Sequence, residues 1–534
     1  MKDHFRQSMA WLHTWVGLLL GWVLYFMFVT GTAGYLDTEI DRWMQPELPV
    51  SRFSVPAEQV TLASLAYLET HAPNAERWFI NLPLNRNNPY PRVSWNGAKG
   101  AGIAAKGNLQ FDPAAGAALA GRDTAGGQTL YRMHWKLHYL PSVVSDWLVG
   151  VATMFMLIAL VTGVIVHKKI FADFFTFRPG KGQRSWLDAH NVVSVFSLPF
   201  QLMITWSGLI FMMFIYMPLI VAAWYGPGED NRKVFLAEMA DTPALAEASG
   251  QPAPLVAPDG VMAEARRHWN GAPIAALDIR HPNDAHARIL VRGDFVAGPL
   301  RAADLLVFDG VTGALLAEQR ARHSNAKALR DVMLGLHEGL FAGPVLRALY
   351  VFSGLLGAAM IATGLVLWAV KRRQRIEKAA EAPHFGLRLV ERLNVATIIG
   401  LPVAIAAYFW ANRLLPPEMA NRADWEVNCL FLVWLSLFLH AGLRPTAKVW
   451  AEQAWLAALS FALLPVVNAL TTSRHLGHSL PEGDWVMAGF DLSMLALGAA
   501  FAILARYLTQ RSRTGRATQA LSLPDAACQR AGEA

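Results

Sequence analysis

Ser185-Trp-Leu-Asp-Ala-His190-Asn-Val-Val-Ser-Val-Phe-Ser-Leu-Pro-Phe-Gln-Leu-Met-Ile-Thr-Trp-Ser207-Gly208 is an apolar run that opens on a histidine and closes on a Ser-Gly pair, 17 and 18 residues later. The chain makes the same statement near its start, where His13 opens another apolar run and Thr30-Gly31 follow at the same two spacings. At ~1.5 Å per residue, this separation spans about 27 Å, close to the hydrocarbon thickness of a bilayer. Each run therefore places an imidazole at one membrane face and a small-residue pair near the other. An ionisable side chain inside a span signals function by default, and two at matched depth predict a shared ligand.

The composition agrees with a membrane reading. Of 534 residues, 54% are hydrophobic and only 16% charged, with 19 tryptophans, which is unlike a soluble enzyme and fits a polytopic membrane protein. The net charge of +7 does not call for nucleic acid, because the basic residues gather in short segments beside apolar runs. Cys429 lies inside an apolar run and Cys528 in the polar tail, which excludes a disulfide framework and a Cys-rich iron–sulfur or zinc site. The first run is too long for a secretory signal and lacks its small-residue cleavage site, so it reads as retained.

Eight runs are long enough to span, at about 11–34, 147–167, 190–217, 346–370, 394–412, 427–443, 452–471 and 485–507. Lys and Arg crowd the loops at 168–189 and 371–392, follow the sixth run at Arg444 and Lys448, and flank the end of the eighth. The positive-inside rule then puts both termini in the cytoplasm, and the insertions at 36–145 and 218–345 outside. Each insertion reads as a helix followed by short strands: Val60–His71 before Trp78–Leu82, Val93–Trp95 and Leu109–Phe111, and Val261–Trp269 before Ile274–Ile279, Ile289–Val291 and Leu305–Phe308. Asp112-Pro-Ala-Ala-Gly116 and Asp309-Gly-Val-Thr-Gly313 supply the side-chain cap and the positive φ that a hairpin turn needs.

These insertions belong to an internal repeat. Phe111-Asp-x-x-x-Gly-Ala-x-Leu119 is matched by Phe308-Asp-x-x-x-Gly-Ala-x-Leu316, and Leu137-His138 by Leu336-His337. Thr162-Gly163-Val-Ile-Val-His167 is matched by Thr363-Gly364-Leu-Val-Leu-Trp368. The repeating unit is span, outer module, His-bearing helix, span. Runs five to eight carry no such histidines in their membrane cores; their Asn428, Cys429, Asn468 and Asp491 suggest no chemistry. The tail after Arg516 is polar and Ala-rich and reads as disordered.

Under the repeat, His13 corresponds to His190 at the cytoplasmic face and His138 to His337 at the outer face. Spans one and three, and two and four, are diagonal in an up-and-down four-helix bundle. A diagonal pair of imidazoles can hold the iron of a flat macrocycle from both sides, so the expected cofactors are two haem b groups. Cys-x-x-Cys-His is absent from the sequence, so they are held non-covalently. Gly17 and Gly21 at i+4 and i+8 from His13, and Ser194 and Ser197 near His190, let a porphyrin lie against backbone, although Gly17-x-x-x-Gly21 taken alone reads as helix packing. Two further histidines leave the ligand set open. His134, one turn before His138, and His167, at the end of span two, each stand to replace a chosen ligand, to bond a propionate, or to face the headgroups. Arg184 and Lys168 are placed to pair with propionates on the inner side, and Arg132 or Arg347 on the outer side, unless they serve only as membrane anchors. Two haem layers make a wire across the membrane.

These residues together resemble the PepSY-associated transmembrane helix family, whose best-understood members are siderophore-iron reductases such as ferrioxamine reductase. The resemblance covers about residues 1–375. It rests on His13 with Thr30-Gly31, Leu137-His138, Thr162-Gly163-Val-Ile-Val-His167-Lys-Lys, Leu187-Asp-Ala-His190-Asn191, the two Phe-Asp hairpins and Leu336-His337-Glu-Gly. Gln201 stands where that pattern leads one to expect a second histidine in span three. The resemblance implies PepSY-like modules in the periplasm, b-type haem in the bundle, and reduction of ferric siderophores or other ferric chelates with release of Fe(II).

The expected fold is a mainly α membrane protein with eight transmembrane helices, a di-haem four-helix bundle plus four C-terminal spans, and two periplasmic α+β modules. Its segments are helix one at 1–35, module one at 36–145, helices two and three at 146–217, module two at 218–345, helix four at 346–375, the C-terminal helices at 392–508 and a cytoplasmic tail at 509–534. The expected site is in the bacterial inner membrane. No flavin domain or Gly-x-Gly-x-x-Gly fingerprint is evident, so electrons would come from a separate cytoplasmic reductase or from quinol. The competing readings are a membrane-tethered inhibitor or sensor of proteases with structural histidines, and a transporter whose histidines relay protons.

Overall fold

A computed structural model describes residues 2–49, 55–97, 106–112, 117–167, 174–216, 218–240, 245–295, 298–321 and 325–521. Among these residues, eight helices are long and apolar enough to cross a membrane: His4–Gly34, Ser142–Val166, Gln183–Met213, Pro344–Lys378, Phe385–Leu414, Arg422–Leu443, Lys448–Thr471 and Trp485–Arg511. Every apolar run in the sequence is thus a helix, extended at one or both ends by polar turns. The chain forms two compact units. One is helical and comprises Met1–Pro46, Arg122–Thr205 and Leu349–Ala534; the other comprises Glu47–Gly121 and Trp206–Ala348 and carries the β-sheet.

The first half runs α1 (Lys2–Gly34), α2 (Asp37–Met44), α3 (Ala57–His71), β1 (Arg77–Asn81), β2 (Arg92–Asn96), β3 (Lys106–Asp112), β4 (Ala117–Ala118), α4 (Gly126–Met133) and α5 (Ser142–Val166). The second half runs α6 (Gln183–Tyr216), α7 (Pro218–Tyr225), α8 (Glu229–Ala240), α9 (Pro258–His268), β5 (Ile274–Arg280), β6 (Arg288–Phe295), β7 (Ala303–Asp309), β8 (Leu315–Gln319), α10 (Asn325–Glu338) and α11 (Pro344–Lys378). The C-terminal spans follow as α12 (Phe385–Ile398), α13 (Gly400–Leu414), α14 (Arg422–Leu443), α15 (Thr446–Ala462), α16 (Leu464–Thr471), α17 (Leu476–Ser479) and α18 (Trp485–Leu521).

In the sheet unit, the two insertions do not make separate sheets. Their strands join in one antiparallel sheet of order β4-β3-β2-β1-β5-β6-β7-β8. The seam is β1 against β5, with Phe79 opposite Asp278. Alternation explains which face is covered: Trp78 and Ile80 on β1, Val93 on β2, Leu277 and Ile279 on β5, and Leu306 and Phe308 on β7 are buried in one core with Val60, Leu68, Val261 and Met262 of α3 and α9. The second hairpin forms as its sequence requires. Asp309 Oδ1 accepts from the backbone N–H of Val311 and Thr312, and Gly313 takes φ +74°. The matching turn of the first half, residues 113–116, lies outside the described residues, as does the end of the tail.

In the helical unit, α1, α5, α6 and α11 enclose a cavity described below, and the later spans pack on α1 and α11. Two of those spans are broken by proline. Pro402 cannot donate to the Ile398 carbonyl, and that carbonyl accepts Tyr25 Oη of α1 at 2.9 Å instead. Pro465 likewise divides span seven into α15 and α16. Asn394 of α12 accepts from Trp22 Nε1 at 3.0 Å and donates to the Leu365 carbonyl of α11 at 3.1 Å. Arg373 of α11 grips Glu391 of α12 with two hydrogen bonds of 2.6 Å. Asn468 and Asp491, chemically mute in the sequence, are fully buried. Asp491 accepts from Trp43 Nε1 and Asn468 Nδ2 at 2.9 Å each, and Asn468 accepts from Arg413 Nε.

The sheet seam yields a prediction. Asp278, buried on β5, takes both guanidinium donors of Arg77 on β1, at 2.7 and 2.8 Å, and those of Arg280 at 3.0 and 3.1 Å. Asp278→Ala removes a charge-assisted pair worth about 1–2 kcal/mol, discounted because Arg77 is partly exposed. Amide exchange in 77–81 and 276–280 should rise about tenfold, with exchange in the membrane helices unchanged. Unaltered exchange at both strands would show that the seam does not depend on this carboxylate.

Candidate cofactor site

His13 lies in the fourth turn of α1, and its Nδ1 donates to the Ala159 carbonyl of α5 at 2.9 Å, with Thr162 Oγ1 at 3.3 Å. His190, on α6, repeats this arrangement: its Nδ1 donates to the Met360 carbonyl of α11 at 3.0 Å, with Thr363 Oγ1 at 3.2 Å. A carbonyl only accepts, so in both rings the proton sits on Nδ1 and Nε2 keeps the lone pair. Glycine makes this approach possible. A Cβ added at Gly163 would lie 3.2 Å from His13 Cε1, and one at Gly364 would lie 3.2 Å from His190 Cε1. The two Thr-Gly pairs that mark the repeat in the sequence are therefore seats for the two imidazoles.

The ring centres of His13 and His190 are 6.4 Å apart, with planes at 63°. Two metal–nitrogen bonds of ~2.0–2.1 Å, plus roughly 1 Å from each nitrogen to its ring centre, add to a little over 6 Å. The separation is that of two imidazoles sharing one metal ion. Neither Nε2 is engaged in a hydrogen bond among the described residues. Around the pair lies a cavity of about 450 Å³, within the range of cofactor sites, lined by all four helices. Gly17 faces it with nothing within 4 Å of where its Cβ would stand, so a flat ligand can lie against α1.

The polar lining fits an anionic cofactor. Lys371, Arg372 and Arg375 of α11 line the cavity, and so do Trp368 and Ser194. Trp368 Nε1 and Ser194 Oγ are buried with no hydrogen-bond partner among the described residues. Two donors and three cations converge on a cavity that also holds a bis-imidazole pair. Arg184, expected here from the sequence, is instead paired with Asp188 at 3.4 Å, and Lys168 lies outside the described residues. The lining cations come from the last turns of the fourth span, where their charge in the sequence reads only as a topology signal.

His167 also lines the cavity, but its Nε2 accepts from Asn191 Nδ2 at 2.7 Å. This nitrogen is the one that the other rings keep open, so His167 holds the residue beside His190 in place instead of repeating its role. Gln201 is fully buried and donates to the Ser353 carbonyl at 3.0 Å, joining α6 to α11.

The second layer corrects one expectation. His134, not His138, occupies the seat on α1: a Cβ at Gly31 would lie 3.5 Å from His134 Cβ and Cγ. His134 caps the C-terminus of α4, and its Nδ1 donates to the Tyr131 carbonyl. His138 is exposed, and its ring lies 6.0 Å from Phe431 of α14. In the other unit, His337 Nδ1 lies 2.9 Å from Ser207 Oγ, in the Ser-Gly pair that matches Thr30-Gly31. Counting back from the following span makes the register plain. His134 and His337 each precede a proline at a span entrance by seven residues, Pro141 and Pro344, whereas His138 precedes Pro141 by three. Counting forward from the Asp hairpins hides this, because α4 has 8 residues and α10 has 14. All four Thr-Gly and Ser-Gly pairs matched in the repeat thus mark a histidine. His13 and the His134 seat at Gly31 are separated by 18 residues of α1, or about 27 Å.

Comparison with known proteins follows the same outline. The sequence pattern of the family described as PepSY-associated TM region matches residues 10–371, which include all six histidines discussed and end within α11. A Pseudomonas aeruginosa protein, itself uncharacterized, is 26% identical over 395 residues, covering 70% of this chain and 91% of the relative.

The second layer also has a pH signature. Burial pushes the His134 imidazole down to about 4, the bond to the Tyr131 carbonyl opposing the shift only in part. The folded-state value lies below the ordinary one of 6.5, so this contribution to stability is complete above about pH 6.5. It is lost as pH falls towards 4, and amounts to at most about 3 kcal/mol. Cofactor-free protein should therefore melt at progressively lower temperature across that window, and His134→Phe should flatten the slope. Equal slopes for the two proteins would mean that another group titrates.

Proposed function

The chain belongs to the PepSY-associated TM region family, and on that premise we propose that it is a di-haem b electron-transfer protein that reduces ferric siderophores or other ferric chelates across the bacterial inner membrane. The observation that carries the haem reading is the pair formed by His13 and His190, with ring centres 6.4 Å apart, both Nδ1 atoms tied to helix carbonyls and both Nε2 atoms open among the described residues. His13 and His190 would hold one iron through Nε2. His134, seated against Gly31, would be a ligand of the other. Lys371, Arg372 and Arg375 would pair with the propionates of the first group, with Trp368 Nε1 and Ser194 Oγ as hydrogen-bond donors.

Haem bound at the two seats supplies reversible one-electron chemistry, which alone suffices to take Fe(III) in a chelate to Fe(II). The chain's own residues do the rest. The helix carbonyls of Ala159 and Met360 fix the tautomer of each ligand and raise the basicity of its Nε2. The apolar walls of the cavity, among them Leu18, Leu24, Met156 and Leu160, would keep water from a bound iron. The Lys- and Arg-rich loops orient the His13–His190 site towards the cytoplasm, where a separate reductase or membrane quinol would deliver electrons. The second seats would then face the periplasm and the ferric chelate.

The purified protein should show a Soret band, sharp α and β bands on reduction, and about two haem equivalents by pyridine haemochrome. His13→Ala and His190→Ala should each remove one equivalent, and His134→Ala the other, whereas His138→Ala should keep both. A colourless, folded protein would refute the haem reading and favour structural histidines. Bleaching by dithionite-reduced protein of a ferric chelate panel, followed by Fe(II) capture, tests the substrate class.

A second substitution probes the cavity itself. Gly17→Leu projects a side chain into open space, so folding should change by less than about 1 kcal/mol. Haem at the His13–His190 seat should fall at least severalfold. Full occupancy in Gly17→Leu would place the cofactor elsewhere.

A further inference from the structure

We propose that the four C-terminal spans, which the family pattern does not reach, position the second-layer ligand His134, and that Glu426 is the positioning residue through which they act. This inference rests on the reading of His134 as a haem ligand.

Glu426 and Arg422 stand one turn apart on α14, and both are fully buried. A buried ion pair recovers its desolvation cost only when its remaining lone pairs and protons are satisfied. Here Arg422 Nε has no hydrogen-bond partner among the described residues, and several of the atoms that satisfy the rest of the pair belong to the segment leading into α4. Glu426 Oε2 accepts from Thr124 Oγ1 at 2.6 Å and from the Ala125 backbone N–H at 2.9 Å. Its Oε1 accepts from Asn412 Nδ2 at 2.7 Å and from Arg422. Arg422 Nη1 also donates to the Asp123 carbonyl at 2.7 Å. Tyr408 Oη of α13 donates to the Gly126 carbonyl at 2.8 Å.

The helix that receives these contacts cannot place itself. α4 has eight residues, too few to be stable alone, and its N-cap, Ala125, offers no capping side chain. Glu426 supplies the cap from about 300 residues away in sequence. Asp41 of α2 adds a second carboxylate, accepting from the Gly127 backbone N–H at 2.6 Å. Both negative charges complement the positive end of the helix dipole. The approach is close enough to need Gly126 and Gly127: a Cβ at Gly127 would lie 2.2 Å from the Asp37 carbonyl oxygen. α2 is itself held by the later spans, since Trp43 donates to Asp491 and Arg42 pairs with Asp484 at 3.2 Å. At the far end of this clamped helix is His134, against Gly31. A shift at the N-terminus of so short a helix must reappear at its C-terminus, where the imidazole sits.

The test uses full-length haem-loaded protein in nanodiscs with Glu426→Ala, and with Tyr408→Phe as a milder variant that keeps the ion pair. Three readouts are compared with the parent: amide exchange of residues 124–134, low-temperature EPR of the two ferric haems, and their separate midpoint potentials. Glu426→Ala is expected to raise exchange in 124–134 at least tenfold. It should also alter the g-values and potential of one haem only, the one lost in His134→Ala, and leave the His13–His190 haem unchanged. Tyr408→Phe should move the same readouts in the same direction by a smaller amount. Unchanged exchange in a haem-replete Tyr408→Phe and Glu426→Ala pair would overturn the proposal, and so would raised exchange with both haem spectra unmoved. If Glu426→Ala does not fold, Tyr408→Phe alone decides by the same criteria. A parent protein without haem would overturn the ligand reading, and this proposal with it, which is a different outcome from intact haems indifferent to residue 426.

Discussion

Lipid offers an imidazole N–H no acceptor, so a histidine placed on a membrane helix must find one on a neighbouring helix. The available acceptors are backbone carbonyls, already bonded within their own helix but able to take a second proton. Reaching one requires that the neighbouring helix present no side chain at the point of contact. Gly163 and Gly364 meet that requirement, and an added Cβ at either would crowd the ring at 3.2 Å. The threonine before each glycine turns its hydroxyl to its own helix and to the ring, so the seat is polar on one side and bare on the other. Helix spacing and tautomer both follow from this contact.

Much of the architecture was legible in the sequence because it is written in local patterns. Apolar runs of the right length gave the eight spans, and the Phe-Asp and Thr-Gly phrases gave the duplication. The pairing of His13 with His190 followed from matched depth alone. Features set by distant partners were not legible. His134 and His138 lie one turn apart, and only the tertiary seat at Gly31 separates them; the distance to the next span held the signal, but the distance from the hairpin is the more visible landmark. Lys371, Arg372 and Arg375 look like any basic loop until α11 is seen to extend past the bilayer-length stretch and carry them along the cavity wall. Glu426, Asn468 and Asp491 are single polar letters in apolar runs, and nothing in their own neighbourhoods names Thr124, Trp43 or Arg413 as their partners.

The two layers of seats differ in how they are built. At the first layer, histidines and seats all lie on long helices whose place is fixed by bilayer thickness and by each other. At the second, His134 is carried by a helix of two turns, whose position is imposed by carboxylates from α2 and α14. Buried charge is concentrated where the local structure is weakest. Arg422, Glu426, Arg413 and Asp491 are all at or near zero exposure, and each satisfies groups that α2, α4 or a proline-broken span leaves open.

The seam between β1 and β5 has a consequence for biosynthesis. The two strands are separated by nearly two hundred residues, including two complete membrane spans. At ~5–20 residues per second, a ribosome needs roughly 10–40 s to make that stretch. For that interval the nascent β1 strand has an open hydrogen-bonding edge, the kind of edge that recruits stray strands from other chains. Expression host and translation speed should therefore govern the yield of this protein more strongly than its final stability does, and a holdase that shelters an emerging strand would act on this step before any cofactor is inserted.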